Sequence, residues 1–283
     1  MSHSTIASSA WTRLGAIAPS SLSDARLELH HAAQIAVSAA ISYVPARADD
    51  SHTALTWSTE LGALTTEPIT TAGGLRIALQ IADLTVHAVR DGRVIRSLSL
   101  PGRTIDEAHA WLKEVAKGAG LEPERLTARK HYTIPSHVVA SGAPFSQRTQ
   151  GELSELARYW SNAAGYLEEV ARVTEGASPV RTWPHHFDIA TLIELSGEPR
   201  RTIGVGQSPG DDSYNEPYWY LGPYPYPPTE TLPPIEGGGH WHTTGWVGAA
   251  LPAHRYIDAS DQRAQVASFV ESSLKACRQL LGG

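Results

Sequence analysis

Residues 150–173, QGELSELARYWSNAAGYLEEVARV, constrain this chain more than any other stretch. Leu153, Leu156, Ala157, Trp160, Ala164, Leu167, Val170 and Ala171 recur at three- and four-residue intervals. That spacing draws one apolar stripe down a helix and demands a layer to cover it. The following segments supply one. HHFDIATLIEL, RTIGVGQ, PYWYLGPY and HWHTTGWVGAAL read as strands, and a closing helix is expected from about Asp261 to Leu281.

The first half has the same order. A helix is expected from Ser21, with Ser21 and Asp24 at capping-box spacing, Leu27, Ile35 and Ile41 along one stripe, and Pro45 at its end. TALTWSTELGALTTEPI and LRIALQIADLTVHAVRDGRVIRSLSL read as strands. The second folds back at Asp91-Gly92, a pair suited to the positive φ angles of a tight hairpin. A helix over residues 104–119, opened by a Thr104/Glu107 capping box, closes this half. Short echoes tie the halves together. LSLPGRTI and AALPAHRYI each precede a closing helix, and LTWSTELGAL and RTWPHHFDIA each open a strand set. Strand runs flanked by helices, without strict alternation, imply an α+β fold. The expectation is two pseudo-repeated halves, 1–120 and 151–283, each helix–strands–helix with an antiparallel sheet backed by helices. A connection at 121–150 joins them in one compact unit.

Composition narrows the partners. The chain has 283 residues, 41% of them hydrophobic, enough for a sizeable core. Its net charge of −6 and its scattered 23 lysines and arginines argue against nucleic acid and against a membrane surface. Cys277 is the one cysteine, so neither an internal disulfide nor a cysteine-based zinc site can form. No apolar run approaches the ~20 residues of a membrane span, and MSHSTIASSAW lacks the pattern of a secretory signal. A soluble cytoplasmic protein with a small-molecule partner is expected. Oligomeric state cannot be read from the sequence.

Candidate chemistry gathers in the second half. In GGGHWHTTGW, a strand would point His240 and His242 to one face; in HHFD, it would do the same for His186 and Asp188. If those strands are neighbours, the four groups form a ligand set for a divalent metal such as Zn, Fe, Mn, Ni or Cu, with Asp188 as ligand or catalytic carboxylate and Glu216 as a spare general base. Two other readings stand beside it: a hydrogen-bonded polar patch on a sheet, and metal-free acid–base catalysis by a His/carboxylate pair. DDSYNEPYWYLGPYPYPP crowds tyrosines together, and Tyr218, Tyr220 and Trp246 are the candidates to line a substrate pocket. Plain packing against helices is the alternative. EGGGH and QSPGDD are expected as mobile loops at one rim, and His30-His31 as a surface pair. No Gly-Lys-Ser/Thr phosphate loop and no Gly-x-Ser-x-Gly elbow occurs.

SPVRTWPHHFDIATLIELSG, EPYWYLGPYPYPP and LPAHRYIDASDQRAQVASFV together resemble an uncharacterised bacterial domain family. Its signatures are Ser-Pro-Val leading to Phe-Asp-Leu-Ala, a tyrosine-rich strand ending in Tyr-Pro-x-Pro, and a Leu-Pro turn before the last helix. Phe187, Asp188 and Ala190 match the first motif; Tyr224, Pro225, Pro227 and Pro228 approximate the second. The chain departs from that pattern at His185-His186 and in its His-x-His. The resemblance implies the α+β order and no activity. Two function classes remain: an enzyme, metal-dependent in one version, acting on a small molecule, or a non-catalytic binding or structural protein.

Overall fold

The computed structural model describes residues 11–282. Among these residues, four α-helices and two antiparallel sheets make an α+β fold with the expected repeat of order. The first half runs α1 (Ser23–Tyr43), β1 (Thr56–Ser58), β2 (Ala63–Thr65), β3 (Arg76–Gln80), β4 (Thr85–Arg90), β5 (Arg93–Ser99) and α2 (Ile105–Gly118). The second runs α3 (Gln150–Val173), β6 (Arg181–Thr182), β7 (Ile189–Leu195), β8 (Arg201–Ser208), β9 (Tyr218–Tyr224), β10 (His240–His242), β11 (Gly248–Pro252) and α4 (Gln262–Leu280). The first sheet is a meander in chain order, and the second has the order β10-β11-β9-β8-β7-β6. The halves thus correspond except for β10, an extra strand added outside β11.

Local chemistry accounts for several boundaries. Asp91 and Gly92 both have positive φ and turn β4 into β5. Thr104 and Glu107 close their capping box on α2, and the Asp261 carboxylate accepts from the Ala264 amide to start α4. The predicted box at Ser21 and Asp24 does not form. Pro19–Leu22 make a 3₁₀ turn instead, and Asp24 lies 3.3 Å from His137.

The helix α1 does not carry a single stripe either. It is buried on nearly every side because both halves share it: it packs on β3, α2 and α3. Its alanines permit that close approach, while its polar residues need partners. His30 Nε2 lies 2.8 Å from the Pro184 carbonyl oxygen, and Gln34 donates to the same oxygen at 3.0 Å. The 121–150 connection lies along this helix and supplies others. The Pro135 oxygen sits 2.9 Å from His31 Nε2, and the Tyr132 hydroxyl donates to Gln34 at 2.9 Å. His30 and His31 are therefore interior residues, 5% and 8% exposed, and not a surface pair.

A single apolar core includes Leu79 and Leu112 from the first half and Trp160, Leu221 and Phe269 from the second. Leu55 and Thr182 exchange backbone hydrogen bonds of 2.9 and 2.7 Å, so the two sheets meet at the LTW and RTW echoes. In the second sheet, Ile189, Ile193, Ile203, Val205, Trp219, Leu221, Ala249 and Leu251 are buried on the face packed by α3 and α4. The alternate residues stand on the opposite face, and the candidate site is built there.

Candidate functional site

Three glycines shape the open face. Gly204, Gly206 and Gly222 alternate with buried residues on β8 and β9; Gly204 and Gly222 leave a floor without side chains, and Gly206 makes room for the Tyr220 side chain. Register sets His240, Ala250, Tyr220, Gly206 and Ala190 in one row across the sheet. Because Gly206 has no Cβ, the Tyr220 ring lies across β8 and its hydroxyl donates to Asp188 just before β7. A methyl at residue 206 would stand 2.7 Å from that hydroxyl and 2.8 Å from Ala190 Cβ.

Over this floor lies a cleft of about 460 Å³, within the usual range for a small-molecule site. Tyr218, Tyr220 and Trp246 line it, as do His186, Asp188, Asp211 and Ser208, with exposed Tyr224 and Tyr226 at the rim. Trp246 lies 6.5 Å from the Tyr218 ring and stacks on His242 at 4.3 Å. Gly248 makes this fold-back possible, since a Cβ there would come within 2.5 Å of the indole.

Asp188 occupies the cleft's most unusual position. The residue is 8% exposed; one carboxylate oxygen accepts from Tyr220 and the other, Oδ1, is buried with no partner among the described residues. Burial pushes this carboxyl up, against the pull of the Tyr220 hydrogen bond and of His186. Burial and then the Asp188 charge push the Tyr220 phenol well above its usual value, so it remains the donor. Tyr218 likewise donates to Asp211 at 2.6 Å, its phenol pushed up first by burial and then by Asp211.

A strained loop fixes Asp188. HHFDIATLIEL was expected to be strand throughout, but the strand starts at Ile189, and Phe187 sits in the left-handed region at φ 60°. The Phe187 amide donates to the Trp183 oxygen at 2.7 Å, and the Trp183 amide to the Asp188 oxygen at 2.9 Å. Such a backbone costs on the order of 1 kcal/mol and survives only where packing over-determines it. Here the Phe187 ring stacks on His30 at 4.5 Å and meets Trp160 at 5.0 Å. His185 and His186 stand exposed in the loop, so the strand argument that paired His186 with Asp188 fails.

The two histidine pairs do not converge. HWHTTGWVGAAL is a hairpin, β10 and β11, rather than one strand. His240 and His242 do share a face, the same one that carries Tyr220. Three strands separate β10 from β7, and four steps of ~4.8 Å place them roughly 19 Å apart across the sheet. Among the described residues, no three His, Cys, Asp or Glu side chains gather to hold a metal ion. His186, Asp188, His240 and His242 are therefore not assembled as one ligand set.

The His-x-His closes on Tyr214 instead. His242 Nε2 donates to the Thr244 oxygen at 2.6 Å, which leaves Nδ1 to accept from the Tyr214 hydroxyl at 3.1 Å. His240 Nε2 then donates to the Tyr214 oxygen at 2.9 Å, and its Nδ1 is buried without a partner among the described residues. This assignment follows from the donors and acceptors available. Both rings are neutral in it, in keeping with burial and the Arg255 charge holding His240 below the ordinary histidine range.

Glu216 stands outside the cleft, where its carboxylate binds the His254 backbone amide at 2.8 Å and the His254 ring at 2.6 Å. It is not placed as a general base for Asp188's cleft. EGGGH is packed and not a free rim loop. A Cβ at Gly237 would meet the Gln265 oxygen at 2.6 Å, and one at Gly239 the Phe269 ring at 2.3 Å. Sequence reasoning missed Asp211, Tyr214 and the glycine floor. The period-two glycines of TIGVGQ, on the face opposite its valine and isoleucine, were the available signal for the floor.

Compared with family models, with curated proteins and with solved structures, the chain matches none.

Proposed function

We propose that this protein binds a small organic molecule in the glycine-floored cleft between Asp188 and Trp246. The observation that carries this reading is Asp188, which lines an aromatic-walled cleft and whose buried Oδ1 has no partner among the described residues. An unpaired buried acceptor of this kind costs about 1–3 kcal/mol, which a donor on a ligand would relieve. The flat faces of Tyr218, Tyr220 and Trp246 add apolar contact with little ordering entropy.

A second reading, metal-free acid–base chemistry on the bound molecule, rests on the raised carboxyl of Asp188. It needs the same cleft, so binding is tested first. Ligand-observed NMR with a fragment library, run on the wild type and on Gly222→Leu, separates the outcomes. Nothing lies within 4 Å of a Cβ at Gly222, so leucine is accommodated by the strand and fills the cleft. Fragments that bind the wild type and lose their signal with Gly222→Leu support the reading. A library with no hit displaced by that variant contradicts it.

A further inference from the structure

We infer that the cleft's ligand carries an organic ammonium group, held by the Asp188 carboxylate with the aromatic side chains around it. This rests on the small-molecule reading above and specifies its chemistry.

Three observations converge. First, the cleft is lined by two carboxylates, Asp188 and Asp211, and by no lysine or arginine. Arg26, outside the lining, interacts with Asp211, so the like charge an anionic ligand would meet is that of Asp188. Second, the hydroxyls of the two inner tyrosines are already committed, Tyr218 to Asp211 and Tyr220 to Asp188. What these residues have left to offer is ring surface, and electron-rich ring faces attract cations. Third, Asp188 Oδ1 is a buried acceptor without a partner among the described residues, on a residue only 8% exposed that lines the cleft. Burial disfavours a bare carboxylate there. A cationic N–H donor satisfies both the hydrogen bond and the charge, whereas a neutral hydroxyl satisfies only the first.

Isothermal titration calorimetry near neutral pH with benzylammonium, benzyl alcohol and benzoate tests the inference. The three probes share a ring and differ in charge. Benzylammonium is expected to bind at least about tenfold tighter than benzyl alcohol, the ratio one charge-assisted hydrogen bond supplies, and benzoate weakest of all. In Asp188→Asn the ammonium preference falls several-fold toward one, because asparagine still accepts from Tyr220 and carries no charge. If that variant does not fold, Asp211→Asn, which keeps an acceptor oxygen for the Ser213 and Tyr214 amides and an amide partner for Tyr218, is expected to reduce the benzylammonium preference over benzyl alcohol without abolishing it, because Asp188 remains. Benzyl alcohol or benzoate binding as well as benzylammonium overturns the inference, as does an unchanged preference in Asp188→Asn or no binding by any probe. Equal binding of ammonium and alcohol, both abolished by Gly222→Leu, removes the cation and leaves the cleft reading intact. Probe binding that survives Gly222→Leu counts against both.

Discussion

The Tyr220 hydroxyl reaches over Gly206 to the carboxylate of Asp188, joining β9 to the loop before β7 across an intervening strand. That contact depends on an absent methyl group. Gly206→Ala would put Cβ 2.7 Å from the hydroxyl and 2.8 Å from the Ile189 oxygen, with backbone on one side that cannot yield. We expect Gly206→Ala to destabilise by about 1–3 kcal/mol, the usual cost of overpacking. Gly222→Ala on the next strand, with open space around it, should be neutral or slightly stabilising. Urea midpoints of the two variants check the contrast.

Asp188→Asn should stabilise the protein near neutral pH. Burial raises the folded carboxyl above its unfolded value, so between the two values the folded state binds more protons than the unfolded one. Asp188 therefore contributes fully below its unfolded value, and that contribution is lost as pH rises through the window toward the folded value. Asparagine removes the loss and keeps the acceptor for Tyr220. A melting temperature higher by roughly 2–4 °C per kcal/mol relieved is expected, with the gap to wild type closing as pH falls. A less stable Asp188→Asn at neutral pH would contradict this.

His30 has the opposite sign. Burial, the first cause, pushes its imidazole down to about 4, and in the unfolded chain it titrates near 6.5. Over that window the unfolded state binds the extra proton. Its contribution is present above about pH 6.5 and is lost as pH falls toward 4, up to about 3 kcal/mol in all. Denaturant midpoints measured across this range should fall with acid, and fall less in His30→Gln, whose amide can still donate to the Pro184 oxygen.

Tyr214→Phe should cost about 1 kcal/mol by removing the hydroxyl that both His240 and His242 share. The same bonding occupies three of the four ring nitrogens, and the fourth, His240 Nδ1, is buried. Zn²⁺ or Ni²⁺ is therefore expected to leave the wild-type melting temperature unchanged. A rise of several degrees that disappears in the His240→Ala, His242→Ala double variant would restore the metal reading.

Much of the scaffold was legible because its signals are local. Thr104 with Glu107, Asp91 with Gly92, and the stripe from Leu153 to Val170 each act within a few residues. The site was legible in its parts more than in its assembly. Alternation put Tyr218 and Tyr220 on one face, and His240 and His242 on one face. It could not reveal that β11, β9 and β8 lie between β10 and β7. HHFD misled because Phe187, a bulky residue, takes a positive φ held by its packing on His30 and Trp160 and by the backbone bonds with Trp183, contacts distant from the motif or invisible in its alternation. Burial of His30 and His31 follows from α1 serving both halves, and nothing in its own residues announces that.

The measurement that bears most directly on the cleft is a crystal structure of the protein soaked with a fragment that Gly222→Leu displaces. The account predicts a ligand donor about 2.7–3.2 Å from Asp188 Oδ1, with the ligand's apolar part against Tyr218, Tyr220 or Trp246. A displaced fragment found elsewhere, with Oδ1 still unpartnered, would contradict it.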